Sequence, residues 1–243
     1  MTTINVQRAD QRFLTDAGWL DSKHSFNFGN HWAAEHQGHG LLLVNNDDIV
    51  AGGQGFGTHG HRNMEIITWV LAGRLEHNDS EGNHGLLYPG LAQRMSAGTG
   101  IRHSEKNASP DEPVHFVQMW VLPDTDEVAP GYEQRDVNDA LAAGGLVAIA
   151  SGAGHDGAVA LHQRDAVLWG ARLATGDGVD VPAGDHVHVF IAVGAGTLES
   201  GSLDDVEHLW TGDAVRLHDT TDSVPLRFTA TGDGAEILVW VTA

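Results

Sequence analysis

The chain contains no cysteine. Disulfides and thiolate metal sites are therefore excluded, and any metal must be held by nitrogen and oxygen donors. Lysine is nearly absent as well, occurring at Lys23 and Lys106, and Lys plus Arg number 13 against 33 Asp plus Glu. The formal charge of −20 opposes attachment to phosphate backbones or anionic membrane surfaces. No basic run offers a nuclear-localisation signal. No apolar stretch approaches the roughly 20 residues that a membrane-spanning helix needs. The first ten residues lack a charged segment followed by an apolar core, so export by the usual signal is not expected. These absences predict a cytoplasmic protein without nucleic-acid or membrane partners. A hydrophobic content of 41% still supplies a sizeable core and excludes a disordered acidic tail.

What the chain has in abundance is histidine, 16 in all. Two short strings stand out, His59-Gly-His61 and His103-Ser-Glu105. On a β-strand, side chains two apart share a face, so each pair on its own strand sends two ligands into one interior. Three imidazoles and a carboxylate suit a single first-row divalent ion, with iron(II) the leading choice and Cu, Ni, Zn, Mn or Co the alternatives. Glu65 shares parity with His59 and His61, which makes it either a competing ligand or a hydrogen-bonded carboxylate beside the site.

The surrounding sequence reads as strands and turns. Met64 to Leu71 is a β-rich apolar run closed by Gly73, and Arg74 to His77 continues as a further strand. Asn78 to Asn83 and Pro89-Gly90 are turn chemistry, and Gly98-Thr-Gly100 bends the chain just before His103. Strand-like runs and turns alternate throughout, which predicts an all-β chain of sandwiches or barrels.

An internal repeat divides it. Val189 to Glu199 parallels Ile66 to Glu76, and Leu209 to Leu217 parallels Leu87 to Met95. Aligning Gly196 with Gly73 and Gly212 with Gly90 places Pro182, Gly184, Pro225 and Arg227 where the first half has His59, His61, His103 and Glu105. The second half is thus expected to lack a metal site, and His186-Val-His188 to be solvated or structural. The expected division is a metal-binding domain over residues 1–123, a linker over 124–145 with a short helix near Val137 to Ala143, and a second domain over 146–243. Trp120, Trp169, Trp210 and Trp240 lie in apolar runs and are expected in the core.

Gly53, His59, His61, Glu65 and Gly73 resemble the first cupin motif, with the closing glycine one residue late. The longer strings His59 to Gly73, Met95 to Glu105, Gly18 to Phe28, His115 to Pro123 and Tyr132-Glu-Gln134 resemble the pirin family, almost continuously from Gly18 to Gln134. That family usually has proline where this chain has Gly60. The resemblance implies a bicupin, two β-barrel (jelly-roll) domains, with the N-terminal residues adding a strand to the second. It implies one divalent ion per chain on His59, His61, His103 and Glu105, with Glu65 outside the ligand set. It further implies a monomeric oxidoreductase like quercetin 2,3-dioxygenase. Such an enzyme opens the ring of a flavonol or related small aromatic substrate with O2, and Glu105 is its candidate catalytic base. The alternative it implies is a regulator that binds a protein partner, its metal a structural or redox element.

Overall fold

The computed structural model describes residues 3–200, 206–221 and 225–243. In chain order the first strands are β1 (Thr3–Gln7), β2 (Phe13–Asp16), β3 (Leu20–His24), β4 (Leu42–Val50) and β5 (Gly55–His61). There follow β6 (Glu65–Ala72), β7 (Leu75–Asp79), β8 (His84–Leu87), β9 (Leu91–Ser96) and β10 (Ile101–Asn107). Next come β11 (Val114–Val121), β12 (Gly131–Asp136), the short helix α1 (Asn138–Ala142), β13 (Val147–Ser151), β14 (Val159–Ala160) and β15 (Ala166–Leu173). The last are β16 (Gly178–Val181), β17 (His186–Ser200), β18 (Val206–Trp210), β19 (Ala214–His218) and β20 (Leu226–Thr242).

The chain is all-β, as expected, and built as two related halves. The first half faces a seven-stranded sheet, β12-β9-β6-β11-β4-β3-β2, with a four-stranded one, β5-β10-β7-β8. In the second half one sheet runs β1-β19-β17-β20-β15-β13-β14, with β16 on β20 and β18 on β17. The long strands β17 and β20 break register near Gly194, so each contributes to both layers. Neither half closes into a continuous hydrogen-bonded barrel among the described residues, so the expected barrels are open sandwiches. The N-terminal strand does cross over: β1 pairs with β19, from Thr3↔His218 to Gln7↔Ala214. Segment 124–145 carries β12, which pairs with β9, and then α1.

The seven-stranded sheet is covered on both faces, which explains why Ile66 to Leu71 is apolar on both faces apart from Thr68. Ile67, Trp69, Val117, Met119 and Val121 point to the seam, where they pack with Leu168, Phe190, Leu238 and Trp240 of the second half. Their strand neighbours Thr68 and Gln118 face into the first sandwich, toward Glu105. Arg12 ties the seam with polar contacts. Its buried guanidinium donates to Asp47, to the carbonyls of Lys23, Asn45 and Gly212, and lies 4.8 Å from the Phe190 ring centroid.

The repeat register differs from the one read in the sequence. Gly73 leaves β6 at φ +78, and the equivalent left-handed break in β17 is Gly194 at φ +83, not Gly196. Cross-strand pairing then decides the equivalences. His59 opposes His103, and Glu105 opposes His77. In the second half Val181 opposes Leu226, and Phe228 opposes Leu198. Val181, Leu226, Phe228 and Leu198 all belong to one buried apolar cluster. The tryptophan expectation fails in part. Trp240 is buried, but Trp210 is 56% exposed on β18, a strand with one neighbour among the described residues, and Trp120 lines a cavity.

Candidate metal centre

β5 and β10 lie side by side in the four-stranded sheet and point their alternate residues toward the seven-stranded one. A glycine turn sets β10 in place. Gly98 has φ +45, and a Cβ there would strike the Val128 carbonyl. Gly60 needs no such freedom, since the nearest neighbours to an added Cβ are 3.7 and 3.9 Å away.

The structure brings His59, His61 and His103 together, with one nitrogen of each within 4.8 Å of the others. Their ring centroids are 4.4 to 4.9 Å apart. His59 Nδ1 donates to the Gly57 carbonyl at 2.8 Å, which leaves Nε2 with its lone pair free. His61 Nε2 and both nitrogens of His103 are buried without a hydrogen-bond partner. An unpaired buried polar atom costs about 1–3 kcal/mol, so three of them in one place need a ligand to explain them. Burial, and then the neighbouring imidazoles, push His61 down to about 4 and His103 down to about 3. Both rings are therefore neutral at physiological pH, the form that binds metal.

Glu105 stands beside His103 in a second group, with ligand atoms of His77, His103 and Glu105 mutually within 4.8 Å. Gln118 Nε2 donates to one of its oxygens at 2.6 Å and Thr68 Oγ1 to the other at 3.3 Å. These donors belong to a polar row that crosses the inner face of the large sheet. Adjacent strands supply His24, Asn46, Gln118, Thr68 and Gln93 at directly paired positions. Tyr132 donates to Gln93, which donates to Thr68, so the row holds Glu105 at its middle.

Glu65 is elsewhere. It accepts from Ser96 Oγ at 2.9 Å and from the His162 backbone at 3.1 Å, which joins the two halves. His186 and His188 sit at the seam near His39, and His188 is 1% exposed. The residues that sequence reasoning missed are His77, His24, His31 and Asp48. His77 is a lone histidine in sequence, and only its pairing with Glu105 reveals it. The other three line a cavity of about 720 Å³ that opens onto His59, His61 and Glu105, among the aromatic rings of Trp19, Phe28, Phe56 and Trp120. Ser22 donates to Asp48 on this wall. Burial raises Asp48 to about 7 against that hydrogen bond, with further upward push from Asp47 and Glu105.

The donors fit a divalent transition ion: neutral imidazoles with orphaned lone pairs and a carboxylate, with no thiolate. Among the described residues no helix is long and apolar enough to cross a membrane.

Residues 6–121 match the family model described as Pirin, and residues 148–240 match the Quercetinase C-terminal cupin domain. A Mycobacterium tuberculosis protein provisionally named a quercetin 2,3-dioxygenase is 51% identical over 239 residues, covering 98% of this chain and 94% of its own. The quercetin 2,3-dioxygenase of Escherichia coli K12 is 38% identical over 228 residues, covering 93% and 97%. The crystal structure of YhhW from Escherichia coli, 34% identical, superposes with a TM-score of 0.87 over 98% of this chain and 97% of that one. The structure of bacterial pirin YhhW in complex with nickel(II) gives 0.86 at 34% identity over 99% of each.

Proposed function

We propose, for a chain that belongs to the pirin family, that it is a metal-dependent dioxygenase opening the ring of a flavonol or related hydroxylated aromatic with O2. The observation that carries this is the gathering of three imidazoles beside a fixed carboxylate, with His59, His61 and Glu105 lining an aromatic cavity of about 720 Å³. That volume lies in the range of small-molecule sites. An open aromatic cavity beside the donors favours the enzyme over a regulator that acts only through a protein partner.

His59, His61, His103 and Glu105 would hold the ion, iron(II) or another divalent metal. Bound there, it supplies Lewis acidity toward the substrate oxygens and a site for oxygen chemistry. The chain's residues do the rest. Trp19, Phe28, Phe56 and Trp120 bind the aromatic face and exclude water. Glu105, its two oxygens oriented by Gln118 and Thr68, accepts the substrate hydroxyl proton. The products expected of a flavonol are a ring-opened ester and carbon monoxide.

The test is anaerobic loading with iron(II) or nickel(II), followed by oxygen uptake with a panel of flavonols and catechols. Loaded protein should consume oxygen, bleach quercetin and release carbon monoxide, whereas metal-free protein and His59→Ala should not. Oxygen uptake no greater than free metal gives would overturn the reading and leave the partner-binding regulator as the better account.

A further inference from the structure

We infer that His77 is a further donor of this metal centre, able to hold an ion together with His103 and Glu105, and that Asp79 sets the tautomer that makes it one. The inference rests on the metal centre proposed above and not on its substrate.

His77 Nε2 lies 3.1 Å from Asp79 Oδ2, and both side chains are fully buried. A carboxylate only accepts, so Nε2 carries the hydrogen and Nδ1 is left as the lone-pair nitrogen. Nδ1 is buried without a partner. The His103 ring centroid lies 5.3 Å from that of His77. A carboxylate behind an imidazole whose other nitrogen is bare is the usual support of a metal-binding histidine.

The turn after β7 exists in a form that serves this arrangement. Asp79 Oδ1 accepts from the backbone of Glu81 and Asn83 at 3.0 Å each, and the Asn83 side chain donates to both its oxygens. The carboxylate is thus immobilised before it meets His77. On the other side Tyr132 stacks on the imidazole at 4.8 Å and 28°.

The repeat supplies an internal control. Phe228 and Leu198 form the cross-strand pair equivalent to Glu105 and His77, and both are packed in the apolar core of the second half. Where the fold needs only packing, it uses a phenyl and an isobutyl group. In the first half the same pair is a carboxylate and an imidazole with an orphaned nitrogen, an arrangement that packing alone disfavours. Two donor groups therefore share His103. In the outer one His59 and His61 line the cavity, and in the inner one Glu105 also reaches the cavity wall while His77 lies behind it, its side chain fully buried. His77 thus extends the donor set beyond the residues that line the cavity.

The decisive variant is His77→Leu, which adopts the residue that the repeat uses. Cobalt(II) and nickel(II) are added in turn to the metal-free full chain, with affinity read by chelator competition and the cobalt(II) visible spectrum recorded. Affinity should fall by about 10-fold or more, with an altered cobalt(II) spectrum. Metal-free His77→Leu should melt no lower than the unaltered protein, because an unpaired buried nitrogen is gone. Asp79→Asn, which keeps the Oδ1 contacts with Glu81 and Asn83 but gives up a carboxylate oxygen shared by His77 and Asn83, should shift affinity in the same direction and serves if His77→Leu fails to fold. Unchanged affinity and spectrum in a folded variant would overturn the assignment of His77 while leaving the outer group intact. If the unaltered chain takes up neither ion, the proposed metal centre fails and this inference with it.

Discussion

Replacing His103 by alanine isolates the metal's contribution to the fold, because His103 belongs to both donor groups. The residue is 2% exposed, and neither ring nitrogen has a hydrogen-bond partner. Truncation leaves a cavity, which costs about 2–5 kcal/mol in typical cores. It also removes two unsatisfied atoms, worth about 1–3 kcal/mol each, so the two effects nearly cancel. The metal-free variant should melt within a few degrees of the unaltered protein. With metal the two diverge. An ion at about 1,000 times its Kd stabilises the unaltered fold by about 4 kcal/mol, or ~8–16 °C for a chain of this size. If losing the shared ligand weakens binding by about 100-fold, the gain shrinks to about 1.4 kcal/mol, or ~3–6 °C. Melting curves with and without nickel(II), with metal analysis of the same samples, read this directly. His186→Ala, at the seam, should keep the full shift. A folded His103→Ala with normal metal content and an undiminished shift would refute the reasoning, as would an equal loss in His186→Ala.

Glu105→Gln should keep its contacts with Gln118 and Thr68, yet at saturating metal its turnover should drop by roughly 100-fold or more, the scale of a positioned proton transfer. Normal turnover in the fully loaded variant would remove Glu105 from the chemistry. Asp48 gives a pH signature. Its folded pKa of about 7 lies above the ordinary aspartate value of 3.8, so its contribution to stability is full below about 3.8 and is lost as pH rises through 7. Metal-free Asp48→Asn should therefore match the parent's melting temperature at pH 4 and exceed it at pH 8, and the same difference at both pH values would contradict the assignment.

The two His-x-(His/Glu) pairs were legible because period two is a local property of strands, and the glycines around them mark their ends. The all-β class, the repeat and the crossing of β1 were legible for similar reasons, the last through family resemblance. The register of the repeat was not. It turns on breaks in β17 near Val193 and Gly194 that shift the pairing without leaving a mark that similarity scoring can weigh. His77 was invisible because its meaning lies in a partner on another strand, set by the turn that holds Asp79. The cavity wall of His24, His31 and Asp48 comes from strands and a loop preceding β5, whose residues face His59 only after the two sheets stack. Trp210 shows the same limit in reverse, since an apolar run on an outlying strand reads like core.

The pairing of β1 with β19 constrains how the protein can be made. Thr3–Gln7 are made well before their partners, Ala214–His218, which lie more than 200 residues later. β1 must wait without its partner while the intervening residues are made, and the sheet that receives it is complete only once β20 has followed. Contacts so distant in sequence slow folding because the intervening chain must be ordered before they form. The second half thus cannot be completed without β1. Cutting between the halves would strand β1 on the wrong fragment, and the two pieces would need to meet again before either sheet was whole.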